Sequence, residues 1–240
     1  MKISVVSSTQ SDTQAACQEV LQALPNTQCD LVIAGFNTEH NAELLQQQLM
    51  QQFSCPVMAG SSCLGALAIN DEASTTAGLV LWTLSDSRGH YGVGYCRQGT
   101  DAKSAAIKAL EMALDQSGRS SESPALLWCI LPPGDEEQIL QGFAEVVGPN
   151  VPVLGGSSAD NDVSGQWQQF NHHTAGRDLI QVAVCFPSGN VGMSFSSGYQ
   201  PCGSAVTVTQ VEQRQLQQLD HEPAAACYNR LTGGVIQQHL

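Results

Sequence analysis

Pro152-Val153-Leu154-Gly155-Gly156-Ser157-Ser158-Ala159-Asp160-Asn161-Asp162 has a partial copy earlier in the chain, Pro56-Val57-Met58-Ala59-Gly60-Ser61-Ser62. At an offset of 96, residues 54–62 and 150–158 agree at the proline, the valine, one glycine and both serines. Thr76-Ala77-Gly78 matches Thr174-Ala175-Gly176, and Val93-Gly94 matches Val191-Gly192, at an offset of 98. The apolar run over 30–36 has a counterpart over 125–131. A period this long indicates two related half-domains, since solenoids and arrays repeat every 20 to 50 residues or so. The duplication predicts two Gly-Ser-Ser turns, each ending a short apolar strand, that meet across a pseudo-twofold beside the functional pocket.

The 240 residues are 42% apolar and 13% charged, the balance of a packed globular protein. Nine basic against 22 acidic side chains give a net charge of -13, which repels nucleic-acid phosphates and anionic lipid surfaces. Nucleic acid and membrane are therefore not expected partners. Nine cysteines without a Cys-x-x-Cys pair argue against a zinc knuckle or a secreted disulfide framework, and fit a reducing cytoplasm. The chain opens directly into Ile3-Ser4-Val5-Val6, too short an apolar run for a signal peptide, and no stretch approaches 18 apolar residues.

The fold class expected is α/β, with internally duplicated mixed sheets flanked by helices. A strand over 2–7 leads to a helix capped by Ser11-Asp12, with Ala16, Val20, Leu21 and Leu24 on one face. Strands over 30–36 and 57–59 flank a helix over 42–52, a crossover that makes them parallel. Segments 67–69, 78–84 and 91–96 then suggest an antiparallel meander. The second half repeats the order with a helix over 101–114, whose Ala105-Ala106 overlies Ala15-Ala16 at an offset of 90. A strand over 126–131, a helix over 136–147, a strand over 151–154 and strands over 167–172, 179–186 and 191–199 follow. The halves are 1–97 and 98–200. Residues 201–240 differ in composition, with a strand over 205–209 and a helix from 222 to 231, and read as the start of a further domain or a linker.

The candidate ligand-binding residues are Gly60, Ser61, Ser62, Cys63, Gly155, Gly156, Ser157, Ser158 and Asp160. Glycines before hydroxyls let a ligand approach backbone N–H groups, with serine hydroxyls as adaptable donors and acceptors. The plain alternative is an ordinary strand-exit turn. Phosphate is disfavoured, because neither turn leads clearly into a helix N-terminus and Asp160 and Asp162 repel an anion. The two aspartates suit a ligand ammonium or a divalent cation, or else an Asx turn; the spacing lacks the glycine and distal glutamate of a calcium loop. Cys63 is a candidate nucleophile, although no Gly-x-Ser-x-Gly elbow surrounds it. His172 and His173 fall on an expected strand and so point to opposite faces. Trp82, Trp128 and Trp167 are read as core.

With both Gly-Ser motifs, Gly198-Tyr199-Gln200-Pro201, Val208-Thr209 and Leu219-Asp220-His221-Glu222-Pro223-Ala224 in this order, residues 28–230 resemble the FIST family of bacterial sensory domains. The family's Gly-Cys-Ser-Thr-Ala-Gly-Glu corresponds to Gly60-Ser61-Ser62-Cys63-Leu64-Gly65-Ala66, with Ala66 at the acidic position, and His221 replaces a glycine. The resemblance implies a non-enzymatic signalling domain without a bound cofactor that senses a small molecule, an amino acid or related metabolite. A signalling partner would read it, a histidine kinase or a cyclic-di-nucleotide enzyme. It also implies an alternative, a haem-based nitric oxide sensor needing an axial ligand, with His172 and His173 foremost and His40, His90 and His221 as further candidates. An enzyme using Cys63 is the remaining alternative.

Overall fold

Two runs of elements with the same order make up most of the chain. The first comprises β1 (Lys2–Ser8), α1 (Thr13–Ala23), β2 (Leu31–Asn37), α2 (Ala42–Gln52), β3 (Val57–Ser62), the pair β4 (Ala66–Asn70) and β5 (Ala73–Ala77), and β6 (Leu79–Ser85). The second comprises β7 (His90–Arg97), α3 (Ala102–Ser117), β8 (Leu126–Leu131), α4 (Glu136–Val147), β9 (Val153–Ser157), the pair β10 (Gln169–Asn171) and β11 (Ala175–Gly176), and β12 (Leu179–Phe186). This computed structural model describes residues 1–25, 28–62, 66–70, 73–194, 199–200, 203 and 205–237. The chain forms two compact units, Met1–Val191 and Gly192–Leu240.

Helix starts follow from local chemistry. Asp12, Asn41 and Asp101 each accept the backbone N–H three residues on, at 2.8, 2.9 and 2.9 Å, which satisfies one orphan donor of α1, α2 and α3. Gly118, in the left-handed region, closes α3.

The strands form a six-stranded sheet, β1-β6-β2-β3-β10-β11, and a four-stranded sheet, β7-β12-β8-β9. Corresponding elements of the two runs occupy corresponding places in the first four strands. The β2/β3 and β8/β9 pairs are parallel, as the strand-helix-strand spacing predicts. Helices α1 and α2 cover one face of the larger sheet, with Val20, Leu45 and Leu49 on Val32, Phe36, Val57 and Leu81. Helices α3 and α4 cover one face of the smaller, with Leu110, Ile139 and Phe143 on Leu127, Ile180 and Val182. The remaining faces pack on each other through Ile33, Met58 and Leu84 from one sheet and Val93, Leu126 and Ala183 from the other. The first unit is thus an α/β/β/α sandwich. The Trp82 and Trp128 rings meet between the sheets, 5.5 Å apart, a contact worth about 0.5–1.5 kcal/mol beyond its buried area.

Three sequence expectations are corrected. The segments around 67–69, 78–84 and 91–96 do not form a meander: β6 inserts between β1 and β2, and β4 and β5 pair separately. The cause is that β6 is apolar on both faces, Leu79 and Leu81 toward the helices and Leu84 toward the other sheet, so it needs cover on both sides. Strand β7, placed in the first half by its Val93-Gly94 match, instead belongs to the second sheet and pairs with β12. Its Gly92 and Gly94 lie under α3, where a Cβ would stand 2.1 and 1.8 Å from the Ala113 and Ala109 carbonyl oxygens. Finally, residues 191–194 are not a strand.

The unit Gly192–Leu240 holds an antiparallel sheet of β13 (Val208–Glu212), β14 (Gln215–Leu219) and β15 (Glu222–Pro223), followed by α5 (Ala224–Leu231). Leu219, Ala224 and Cys227 form its small core with Val206.

Candidate functional site

The two Gly-Ser-Ser segments are strand, not turn. Gly60-Ser61-Ser62 finishes β3, and Gly155-Gly156-Ser157 lies within β9 beside Cys129, Ile130 and Leu131 of β8. Their glycines allow close approach. A Cβ at Gly60 would stand 2.5 Å from Ile130 Cγ2 and 2.7 Å from Ser158 Oγ, and one at Gly155 would stand 1.9 Å from the Cys129 carbonyl oxygen. Gly155 also has φ +124, a backbone region side chains rarely adopt.

The segments do come together. Beyond β9 the chain crosses from the smaller sheet to the larger: Ser158 N–H donates to the Leu131 carbonyl at 2.8 Å, and Ala159 N–H to the Ser61 carbonyl at 2.9 Å. Ser61 is buried and fully engaged. Its hydroxyl donates to the Ala159 carbonyl at 2.8 Å and accepts from Gln168 N–H at 2.9 Å. The Ser157 hydroxyl donates to Glu136 at the start of α4, at 2.6 Å. Buried Ser158 Oγ has no hydrogen-bond partner among the described residues. Cys63 lies outside the described residues, as do Leu64, Gly65, Gly198 and Pro201.

Between Ala159 and β10 the chain makes an exposed loop organised by Asp160. The Asp160 carboxylate accepts from Gln166 N–H at 2.6 Å, and that bond, followed by those from the Val163, Gly165 and Asp162 amides, holds it below the usual carboxylate value. Asp162 accepts from Ser164 N–H at 3.2 Å, an Asx turn. The acidic pair therefore shapes the loop. Val163 is 95% exposed with φ +60, an outlier for a β-branched residue. Asn161 and Asn37 exchange amide hydrogen bonds at 3.3 Å, tying the loop to the end of β2.

Two cavities flank this loop, and Arg177 lines both. One, of about 370 Å³, includes Thr38, Asp162, Gln166 and Gln168. The other, of about 500 Å³, includes Arg97, Pro132, Pro133, Trp167 and Asp178. The Arg177 guanidinium donates to the Gly165 carbonyl at 2.9 Å and the Gln166 side chain at 3.1 Å; Trp167 Nε1 donates to the Arg177 carbonyl at 2.7 Å. Arg97 pairs with Asp178. Guanidinium groups, carboxylates and an indole beside two prolines can together hold a small zwitterion: the arginines its carboxylate, an aspartate its ammonium, the apolar wall its body.

Sequence reasoning missed Arg97 and Arg177, and assigned Trp167 to the core. A usable signal was the scarcity of cations, nine in the chain, two of which face one groove. His172 and His173 are also placed differently. They sit in the turn between β10 and β11 with rings 5.9 Å apart, not on opposite faces of a strand, because the ladder ends at Asn171. The His173 ring stacks on Tyr95 at 5.8 Å. Burial lowers the His172 pKa, with His173 adding to the effect. Neither histidine is among the residues lining the cavities above. His40 is buried beside Thr13, with Nδ1 3.3 Å from Oγ1. Among the described residues no three His, Cys, Asp or Glu side chains gather as a metal site, and no helix is long and apolar enough to cross a membrane.

The profile of the FIST N domain family matches residues 30–222, most of the chain and all of the second-half motif. The chain belongs to the FIST N domain family. That is a family of sensory domains, so the FIST N groove is a candidate sensing site. No curated protein matches this FIST N chain. Among solved structures, an empty FtsZ dimer (M. jannaschii) is similar at 15% identity and TM-score 0.24, over 41% of this chain and 26% of that one. The chain thus spans about a quarter of that protein's length, and a likeness at this level carries no argument about fold or function.

Proposed function

We propose that this FIST N domain is a non-enzymatic sensor that binds a small ligand, an amino acid or related metabolite, in the groove around Arg177. The observation that carries the reading is that Arg177 is shared by cavities of about 370 and 500 Å³ on either side of the loop following the second Gly-Gly-Ser-Ser segment. In a chain of net charge -13, a guanidinium there is a local exception suited to a carboxylate. The loop is the element whose arrangement a ligand would bias, because it is held by its own backbone and carries the strained Val163. A signalling partner, a histidine kinase or a cyclic-di-nucleotide enzyme, would read that bias in the cytoplasm.

The test is a thermal-midpoint screen of amino acids and small carboxylates against the wild type and Arg177→Gln. A ligand at a hundredfold its dissociation constant stabilises by about 2.7 kcal/mol, and the wild type alone should show the rise. No rise with any compound, or an equal rise in Arg177→Gln, overturns the proposal. A stoichiometric Soret band on adding haem, shifted by nitric oxide, would replace it with the gas-sensor reading.

A further inference from the structure

Cys29 and Cys55 each stand two residues before the first residue of β2 and β3, the parallel neighbours at the centre of the larger sheet, with Sγ atoms 3.1 Å apart. Each is partly exposed, and Cys29 lines a separate cavity of about 540 Å³ with Gln28, Asp30, Ser85 and Asp86. The backbone on both sides is held: Asp30 N–H donates to the Leu84 carbonyl at 2.7 Å and Val32 N–H to the Pro56 carbonyl at 3.0 Å. Disulfide formation needs the sulfurs to close to about 2.05 Å, a movement of about an ångström. We propose that Cys29 and Cys55 are a reversible redox pair, oxidised to a disulfide by a hydroperoxide that reaches Cys29 through this cavity.

The roles of the two sulfurs differ. The contact between the two sulfurs lowers the Cys29 pKa against the opposing effects of burial and Asp30, and together with burial raises that of Cys55. Cys29, which lines the cavity, is the sulfur that the peroxide meets first, and Cys55, 3.1 Å from it, is the resolving thiol. The Cys29 sulfur attacks the peroxide, the O–O bond breaks, and Cys29 becomes a sulfenic acid as the other oxygen takes a proton and leaves, as water from hydrogen peroxide or as an alcohol from an organic hydroperoxide. The Cys55 sulfur then attacks the Cys29 sulfur, forming the S–S bond as the S–O bond breaks, and the sulfenic hydroxyl leaves as water with the Cys55 proton. Two thiols lose two electrons and the peroxide gains them. Buried cysteines offer a contrast: burial raises Cys17 to about 11, and Cys129 and Cys185 to about 12. Those thiols remain protonated and enclosed.

The experiment is stoichiometric hydrogen peroxide on the reduced full chain, followed by alkylation and peptide mapping. The expected product is one peptide pair linked through Cys29 and Cys55, two mass units lighter than the dithiol, with a thermal midpoint several degrees higher that a dithiol reductant reverses. In Cys55→Ser, a Cys29 sulfenic acid should accumulate and be trapped by dimedone; this readout does not depend on stability. Reaction spread evenly over the nine cysteines, or independent alkylation of Cys29 and Cys55 after peroxide, overturns the proposal.

Discussion

Ser61 and Ala159, 98 residues apart, are joined by two hydrogen bonds: Ala159 N–H to the Ser61 carbonyl at 2.9 Å, and the Ser61 hydroxyl to the Ala159 carbonyl at 2.8 Å. The link places the end of one repeated motif against the end of the other. It also closes the inner edge of the groove, because the same hydroxyl accepts from Gln168 N–H beside the smaller cavity.

Ser61→Ala removes that hydroxyl and leaves the partly buried Gln168 amide and Ala159 carbonyl each one partner short. A loss of about 1–3 kcal/mol in urea unfolding is expected, with faster hydrogen exchange at Gln168 than at β8 amides. An unchanged midpoint would show that the link is dispensable.

The motif glycines Gly60 and Gly156, equivalent in sequence, should respond differently to alanine. At Gly60 the new methyl meets Ile130 and Ser158, so overpacking should cost about 1–3 kcal/mol; at Gly156 nothing stands within 4 Å, so the change should stay within about 0.5 kcal/mol. Denaturant midpoints of the two variants decide this.

Acid should destabilise the first unit through Asp86. Its buried carboxylate accepts from the Tyr91 hydroxyl and the Ser188 amide at 2.8 Å, and from the Ser188 hydroxyl at 2.5 Å. Burial opposes ionisation, but the bonds from Ser188 and Tyr91 outweigh it and hold the pKa well below the ordinary carboxylate range. A depressed folded-state pKa contributes stability that is full above the unfolded value of about 3.9 and is lost as pH falls through the folded value. Stability measured from pH 7 downward should therefore decline below about pH 4. Asp86→Asn should cost about 2–3 kcal/mol at pH 7 and flatten that decline.

In the second unit, Asp220 and His221 form the two-residue connection between β14 and β15 with φ +49 and +66. Such hairpins favour glycine at the second position, because a side chain is strained in the left-handed region. His221→Gly is expected to stabilise this hairpin by about 0.5–1 kcal/mol after the entropy of a freer unfolded chain is counted. Hydrogen exchange at Leu219 and Glu222 should slow by roughly two- to fivefold.

Local patterns were sufficient for most elements. The caps at Asp12 and Asp101, the helical spacing in α1 to α4 and the apolar runs of β2, β3, β8 and β12 depend on neighbours a few residues away, and these are written in the chain. So is the family, because the order of its motifs survives substitutions such as Ala66 and His221. The placement of β7 was less legible, since its match to 191–192 is shorter than the chemistry of Gly92 and Gly94, whose purpose appears only with α3 above them.

The amino-acid sequence by itself determined the repeated order of strands and helices, the parallel crossovers and the acidic surface, all consequences of periodicity and composition. Only the tertiary structure decided that the Gly-Ser segments are strand ends of two sheets, linked through Ser61 and Ala159, and not turns, that Asp160 and Asp162 shape a loop, and that Arg97, Trp167 and Arg177 share one groove. The physical reason is that these contacts join positions separated by up to about a hundred residues, and their geometry is set by how two sheets pack, which no local pattern specifies.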